Sequence, residues 1–108
     1  MHAGNGCAVV MTTVGSERAA ADLALKILGA RLAACVQVQA IRSFYKWKGE
    51  TLAQPECLLL IKTRAALYAE LEALIRAEHA YEVPEIIMIP VRRGAAAYRR
   101  WIDEATAK

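Results

Sequence analysis

The sequence predicts an α+β fold, an antiparallel sheet of four strands with helices packed against it. Three observations carry this. Short apolar runs bounded by turn residues alternate with stretches of helical apolar spacing. Two of the strands are joined directly across Lys48-Gly49-Glu50, which a regularly alternating α/β chain would not do. The length, 108 residues, fits one domain and leaves no room for two.

Residues 7–13, Cys-Ala-Val-Val-Met-Thr-Thr, read as a buried strand. Gly15 and Ser16 break it, and Ser16 is a helix N-cap. From Glu17 to about Arg31, the residues Ala20, Leu23, Ala24, Ile27 and Leu28 form one apolar stripe at helical spacing. Residues 33–48 read as a long strand, and residues 52–62 return as another, centred on Cys57-Leu58-Leu59-Leu60-Ile61. Thr63 is the expected cap of a second helix running from Arg64 to about Glu78, with Leu67, Leu71, Leu74 and Ile75 as its stripe. Residues 85–91 form the fourth strand, and Gly94 starts a last helix carrying Tyr98, Trp101 and Ile102. The order β-α-β-β-α-β plus a C-terminal helix is the ferredoxin-like split βαβ arrangement. The domain is expected to span 7–108, after a flexible N-terminus at 1–6 that includes His2.

A sheet with helices on one face and water on the other should alternate apolar and polar residues. Val9-Val10-Met11, Leu58-Leu59-Leu60-Ile61 and Ile86-Ile87-Met88-Ile89 do not alternate. The second face therefore calls for another copy of the chain, and the hydrophobic fraction of 56% agrees. The long strand also changes phase. Val36 and Val38 are even, whereas Ile41, Tyr45 and Trp47 are odd. A β-bulge near Ala40–Arg42 is expected to produce this change and to present Tyr45 and Trp47 at a subunit boundary.

Composition narrows the function. A net charge of +3 from 14 basic and 11 acidic residues, interspersed, is no polycation, so nucleic acid is not an expected partner. RNA binding by the related RRM topology would need aromatics on the central strands, which here carry aliphatics. No run approaches about 20 apolar residues, so no membrane span is expected. Three widely spaced cysteines, Cys7, Cys35 and Cys57, and no signal peptide point to a cytoplasmic protein with reduced thiols. With two histidines, one of them near the terminus, no Ser/His/Asp or Cys/His arrangement is available, and there is no phosphate-binding glycine motif. The expectation is a binding protein, not an enzyme, without an organic cofactor.

Val-Val-Met-Thr-Thr (9–13), Arg-Leu-Ala-Ala-Cys-Val (31–36), Ser-Phe-Tyr-Lys-Trp-Lys-Gly (43–49), Leu-Leu-Ile-Lys-Thr (59–63) and His-Ala-Tyr-Glu-Val-Pro-Glu-Ile (79–86), followed by Tyr98 and Trp101, stand in series. Together these motifs resemble the CutA divalent-cation-tolerance family over almost the whole chain after residue 6. The resemblance implies a tight homotrimer, PII-like in build, involved in tolerance to divalent metals and above all copper. It implies metal ligands at the end of the first strand and after the second helix, where this chain has Thr12 and Glu78-His79.

The expected metal ligands are accordingly His79, Glu78 and Glu82, with Cys35 as a further thiol; copper or another divalent metal would bind weakly. Lys62, Tyr81 and Glu85 match the family pattern and are expected to line a binding cleft with Glu82, while Tyr45 and Trp47 mark the trimer interface. Ala80 stands where the family usually has proline. The competing expectation is a PII-like signalling trimer that senses a small anion or metabolite in its intersubunit clefts.

Overall fold

The fold is described from a computed structural model, for residues 6–108. His2 and all but Gly6 of the expected flexible terminus lie outside the described residues. The elements are β1 (Cys7–Val14), α1 (Glu17–Gly29), β2 (Cys35–Trp47), β3 (Glu50–Arg64), a 3-10 turn (Ala65–Leu67), α2 (Tyr68–Glu78), β4 (Ile86–Pro90) and α3 (Ala96–Ala105). The sheet order is β2-β3-β1-β4 with every pair antiparallel, which is the expected α+β, ferredoxin-like topology.

One face of the sheet carries Val10 and Val14 of β1 with Cys57, Leu59 and Ile61 of β3. On it sit the apolar stripes of α1 (Ala20, Leu23, Ile27) and α2 (Leu71, Ile75), closing a single core. Ser16 caps α1 as expected, its hydroxyl accepting from the Ala19 N–H at 3.1 Å. Thr63 does not cap the second helix. It remains in β3, fully buried, and its hydroxyl donates to the Leu32 carbonyl at 2.6 Å. The 3-10 turn intervenes, so α2 starts four residues later than the apolar spacing indicates. Cys7 and Cys57 are buried free thiols, as their apolar surroundings suggest.

The expected β-bulge is absent. The β2–β3 ladder runs unbroken from Cys35↔Lys62 to Trp47↔Glu50. The phase change arises because the cover changes face. Val36 packs against the core, but Val38 is already exposed, and Phe44, further along the same side, is 68% exposed. Ser43 and Tyr45, on the opposite side, are half-buried in a cleft described below. The two-residue connection Lys48-Gly49 has φ of 50° and 83°, the paired left-handed conformation that matches the twist of a hairpin.

The face away from the core is open. Val9, Met11, Leu58 and Leu60 are only half-buried on it, and Ile87 and Ile89 are about half exposed. Among the described residues no helix is long and apolar enough to cross a membrane.

Candidate functional site

The cleft forms where the β2–β3 hairpin extends beyond β1. Side chains opposite one another in an antiparallel pair share a face. The pairs Ile41↔Glu56, Ser43↔Gln54 and Tyr45↔Leu52 therefore lay one floor, on the face away from the helices. The connection from α2 to β4, residues 79–85, folds over it. The cleft encloses about 830 Å³, and its lining includes Ser43, Tyr45, Trp47, Glu56, Tyr81 and Glu85.

His79 fixes that connection. It lies just beyond the last turn of α2. Its Nδ1 accepts the Tyr81 N–H at 3.1 Å, so the ring proton belongs on Nε2. Nε2 then donates to the Thr13 carbonyl at 2.6 Å, one residue beyond the last β1–β4 pair, Thr12↔Ile86. The two rings pack with centroids 4.6 Å apart. Tyr81 is thereby aimed into the cleft, and its hydroxyl donates to Glu56 Oε2 at 2.8 Å. Gln54 Nε2 donates to the Tyr81 oxygen at 3.4 Å. Burial, together with the Glu56 carboxylate beside it, pushes the Tyr81 phenol up to about 12, so it stays a donor throughout the physiological range.

Of the residues expected to line the cleft, Tyr81, Glu82 and Glu85 do so. Lys62 does not. It lies at the other end of β3, beside Cys35, where its amine donates to Gln37 Oε1 at 2.7 Å. Both ladders explain this: Lys62 aligns with Val9, whose β4 partner is Ile89, at the far end of β4 from Glu85. Tyr45 and Trp47, expected at a trimer interface, are walls of the cleft.

The four expected metal ligands are not gathered within one chain. Glu78 turns back to an ion pair with Lys26 of α1, and that contact holds the lysine amine above its usual range. Glu82 stands 4.0 Å from Lys48, both exposed. Cys35 lies eight residues along β2 from Ser43, roughly 26 Å at ~3.3 Å per residue. The lone pair that His79 would offer a metal is taken by the Tyr81 N–H. Among the described residues no three His, Cys, Asp or Glu side chains are placed to hold an ion together. The imidazole therefore does not fit a ligand role in this arrangement.

Glu56, Gln54, Ser43 and Thr13 were not among the expected site residues. For Glu56 and Gln54 a signal existed: they are polar, two residues apart, and on the strand face that continues into Leu58 and Leu60.

The chain is thus an antiparallel split βαβ sheet with one apolar face uncovered and a polar cleft at its hairpin end. The chain belongs to the CutA1 divalent ion tolerance protein family, whose pattern it matches over residues 8–105. It is 40% identical over 99 residues to the divalent-cation tolerance protein CutA of Thermus thermophilus, covering 91% of this chain and 96% of that one. It is also 40% identical to the chloroplastic protein CutA of Arabidopsis thaliana, of which it spans about half (54%), while 91% of this chain is covered. Among solved structures, CutA1 of Oryza sativa superposes with a TM-score of 0.92 at 36% identity, covering 99% of both chains. The periplasmic divalent cation tolerance protein CutA of Archaeoglobus fulgidus gives 0.92 at 35% identity, covering 94% of this chain and 99% of that one.

Proposed function

We propose that this chain is the subunit of a cytoplasmic homotrimer, PII-like in build, that binds divalent metal weakly, copper foremost, and contributes to metal tolerance as a binding protein and not an enzyme. Membership of the divalent ion tolerance family supports the metal reading. The observation that carries it is the charge of the cleft: three carboxylates, Glu56, Glu82 and Glu85, line it against two amines, Lys46 in the lining and Lys48 beside Glu82. That lining favours a cation over the small anion of the competing reading. Glu82 and Glu85 are the ligands assigned to the metal, since their carboxylates are exposed at the cleft. Carboxylates without imidazole or thiolate make a low-affinity site, and copper heads the affinity order of divalent first-row ions. The trimer is supported by the uncovered face with Val9, Met11, Leu58, Leu60, Ile87 and Ile89.

The test is calorimetric titration of CuCl2 and ZnCl2 into the His2→Ala protein, which removes the terminal imidazole. Adding Glu82→Gln and Glu85→Gln should abolish the residual binding. Adding His79→Ala alone should weaken but not abolish copper binding, because it loosens the 79–85 connection without removing a ligand. Copper binding that survives both carboxylate changes and disappears with His79→Ala would overturn the ligand assignment. Absence of any binding in the parent would overturn the metal reading.

A further inference from the structure

The two ends of the sheet carry opposite charge. The strand β4 spans five residues, roughly 16 Å at ~3.3 Å per residue. Just before its start stand Glu82 and Glu85, at the cleft. Beyond its end, four arginines, Arg92, Arg93, Arg99 and Arg100, fall within nine residues. Among the described residues none of the four is in an ion pair, not even with Asp103 or Glu104 of α3. Arg92, Arg93 and Arg100 are exposed. The stem of Arg99 lies along Gly94, and its Nε is buried without a hydrogen-bond partner. No carboxylate stands in the first turn of α3 and no side chain caps it, so the positive end of the helix dipole adds to the same charge.

This basic end belongs to the open face. Arg64 alternates with Leu58, Leu60 and Lys62 along β3 and so shares their face. Its Nε donates to the Thr106 hydroxyl at 2.8 Å, which seats the end of α3 there. The arginine segment starts at the same end of the sheet: the Val91 N–H donates to the carbonyl of Cys7, the β1 partner of Arg64, at 3.0 Å.

We propose that the two ends meet between copies: the arginine segment of one copy, Arg92 and Arg93 foremost, docks on Glu82 and Glu85 of the next. The proposal rests on the homotrimer put forward above and adds the polarity of its interfaces. Within one chain the length of β4 keeps the two clusters apart. A face acidic at one end and basic at the other suits a head-to-tail contact, and such contacts close into rings. Each copy then gives its arginines to one neighbour and its carboxylates to the other. These pairs set orientation, while the aliphatic side chains supply the burial. A guanidinium and a divalent ion compete for the same carboxylates, in keeping with weak metal binding.

The test is charge reversal in the full chain, read as the dilution midpoint of the assembly by analytical ultracentrifugation. Arg92→Glu with Arg93→Glu sets like charges at every junction, and so does Glu82→Lys with Glu85→Lys. Each pair should raise the midpoint roughly tenfold or more, the conversion of ~1.4 kcal/mol for like charges in contact. All four changes in one chain restore opposite charges and should bring the midpoint back toward that of the parent. The four side chains are exposed, so the single chain should tolerate each change. Should a reversed variant not fold, Arg92→Gln with Arg93→Gln takes its place and should remove most of the salt dependence of the midpoint; an unchanged salt dependence overturns the proposal. Reversed pairs that assemble like the parent, or a combined variant no closer to the parent than either pair, overturn it while the parent remains a trimer. A parent that is a single chain at low micromolar concentration overturns the trimer itself, and this proposal with it.

Discussion

His79, Tyr81 and Glu56 form a chain of polar contacts from the end of β1 to the floor of the cleft. His79→Ala removes two hydrogen bonds that tie the 79–85 connection to the sheet. At about 1 kcal/mol net for each, the loss should be about 2 kcal/mol by urea denaturation. The Tyr81 phenol is more weakly acidic in the fold than its ordinary 10.0, being raised to about 12. The unfolded chain therefore loses this proton first as pH rises. The contribution of Tyr81 is intact below about pH 10 and declines as pH climbs from about 10 to about 12. Tyr81→Phe should flatten that alkaline decline in melting experiments, and an unaltered slope would show that the hydroxyl is not held as described.

At the scale of elements, the β2–β3 hairpin determines most of the site. Its turn places both Lys48 and Gly49 at positive φ. Gly49→Ala should therefore cost about 1 kcal/mol in thermal or urea unfolding, because a Cβ is disfavoured in the left-handed region even though nothing crowds it there. Lys48→Asn should be neutral or stabilising, since asparagine tolerates that conformation. This hairpin also shows how far the sequence could be read. The turn, both strands and the helix stripes were legible because local chemistry and periodicity decide them. The change of apolar phase in β2 was legible too, but its cause was not. An alternation pattern reports which side is covered, and a helix layer that ends partway along a strand leaves the same trace as a bulge. Likewise the start of α2 was misplaced because Thr63, a good cap residue, is held in the strand by its bond to the Leu32 carbonyl, a contact 31 residues away. The cleft was half legible. Tyr81, Glu82 and Glu85 lie close together in sequence and Glu56 alternates with Gln54 on one strand face, whereas Lys62 could be sorted only by the register of both ladders.

At the scale of the whole molecule, the two faces of the sheet differ in kind. One is closed by α1 and α2 over a continuous core, while the other leaves aliphatic side chains of all four strands partly in water. Exposed apolar area of this sort on a small domain marks an interaction surface. On the proposed function, other copies of the chain cover it, with Trp47 near the boundary. Trp47 is 36% exposed, and Trp47→Ala should weaken assembly by ~2 kcal/mol if it is an anchor there. Dilution of that variant, followed by mass, separates this from a loss of stability within the single chain. The central claim is that the uncovered face is closed by two further copies of the chain. Sedimentation equilibrium at low micromolar concentration tests it most directly. The account predicts a single species of three times the 11.8 kDa chain mass, and a species at the mass of one chain would contradict it.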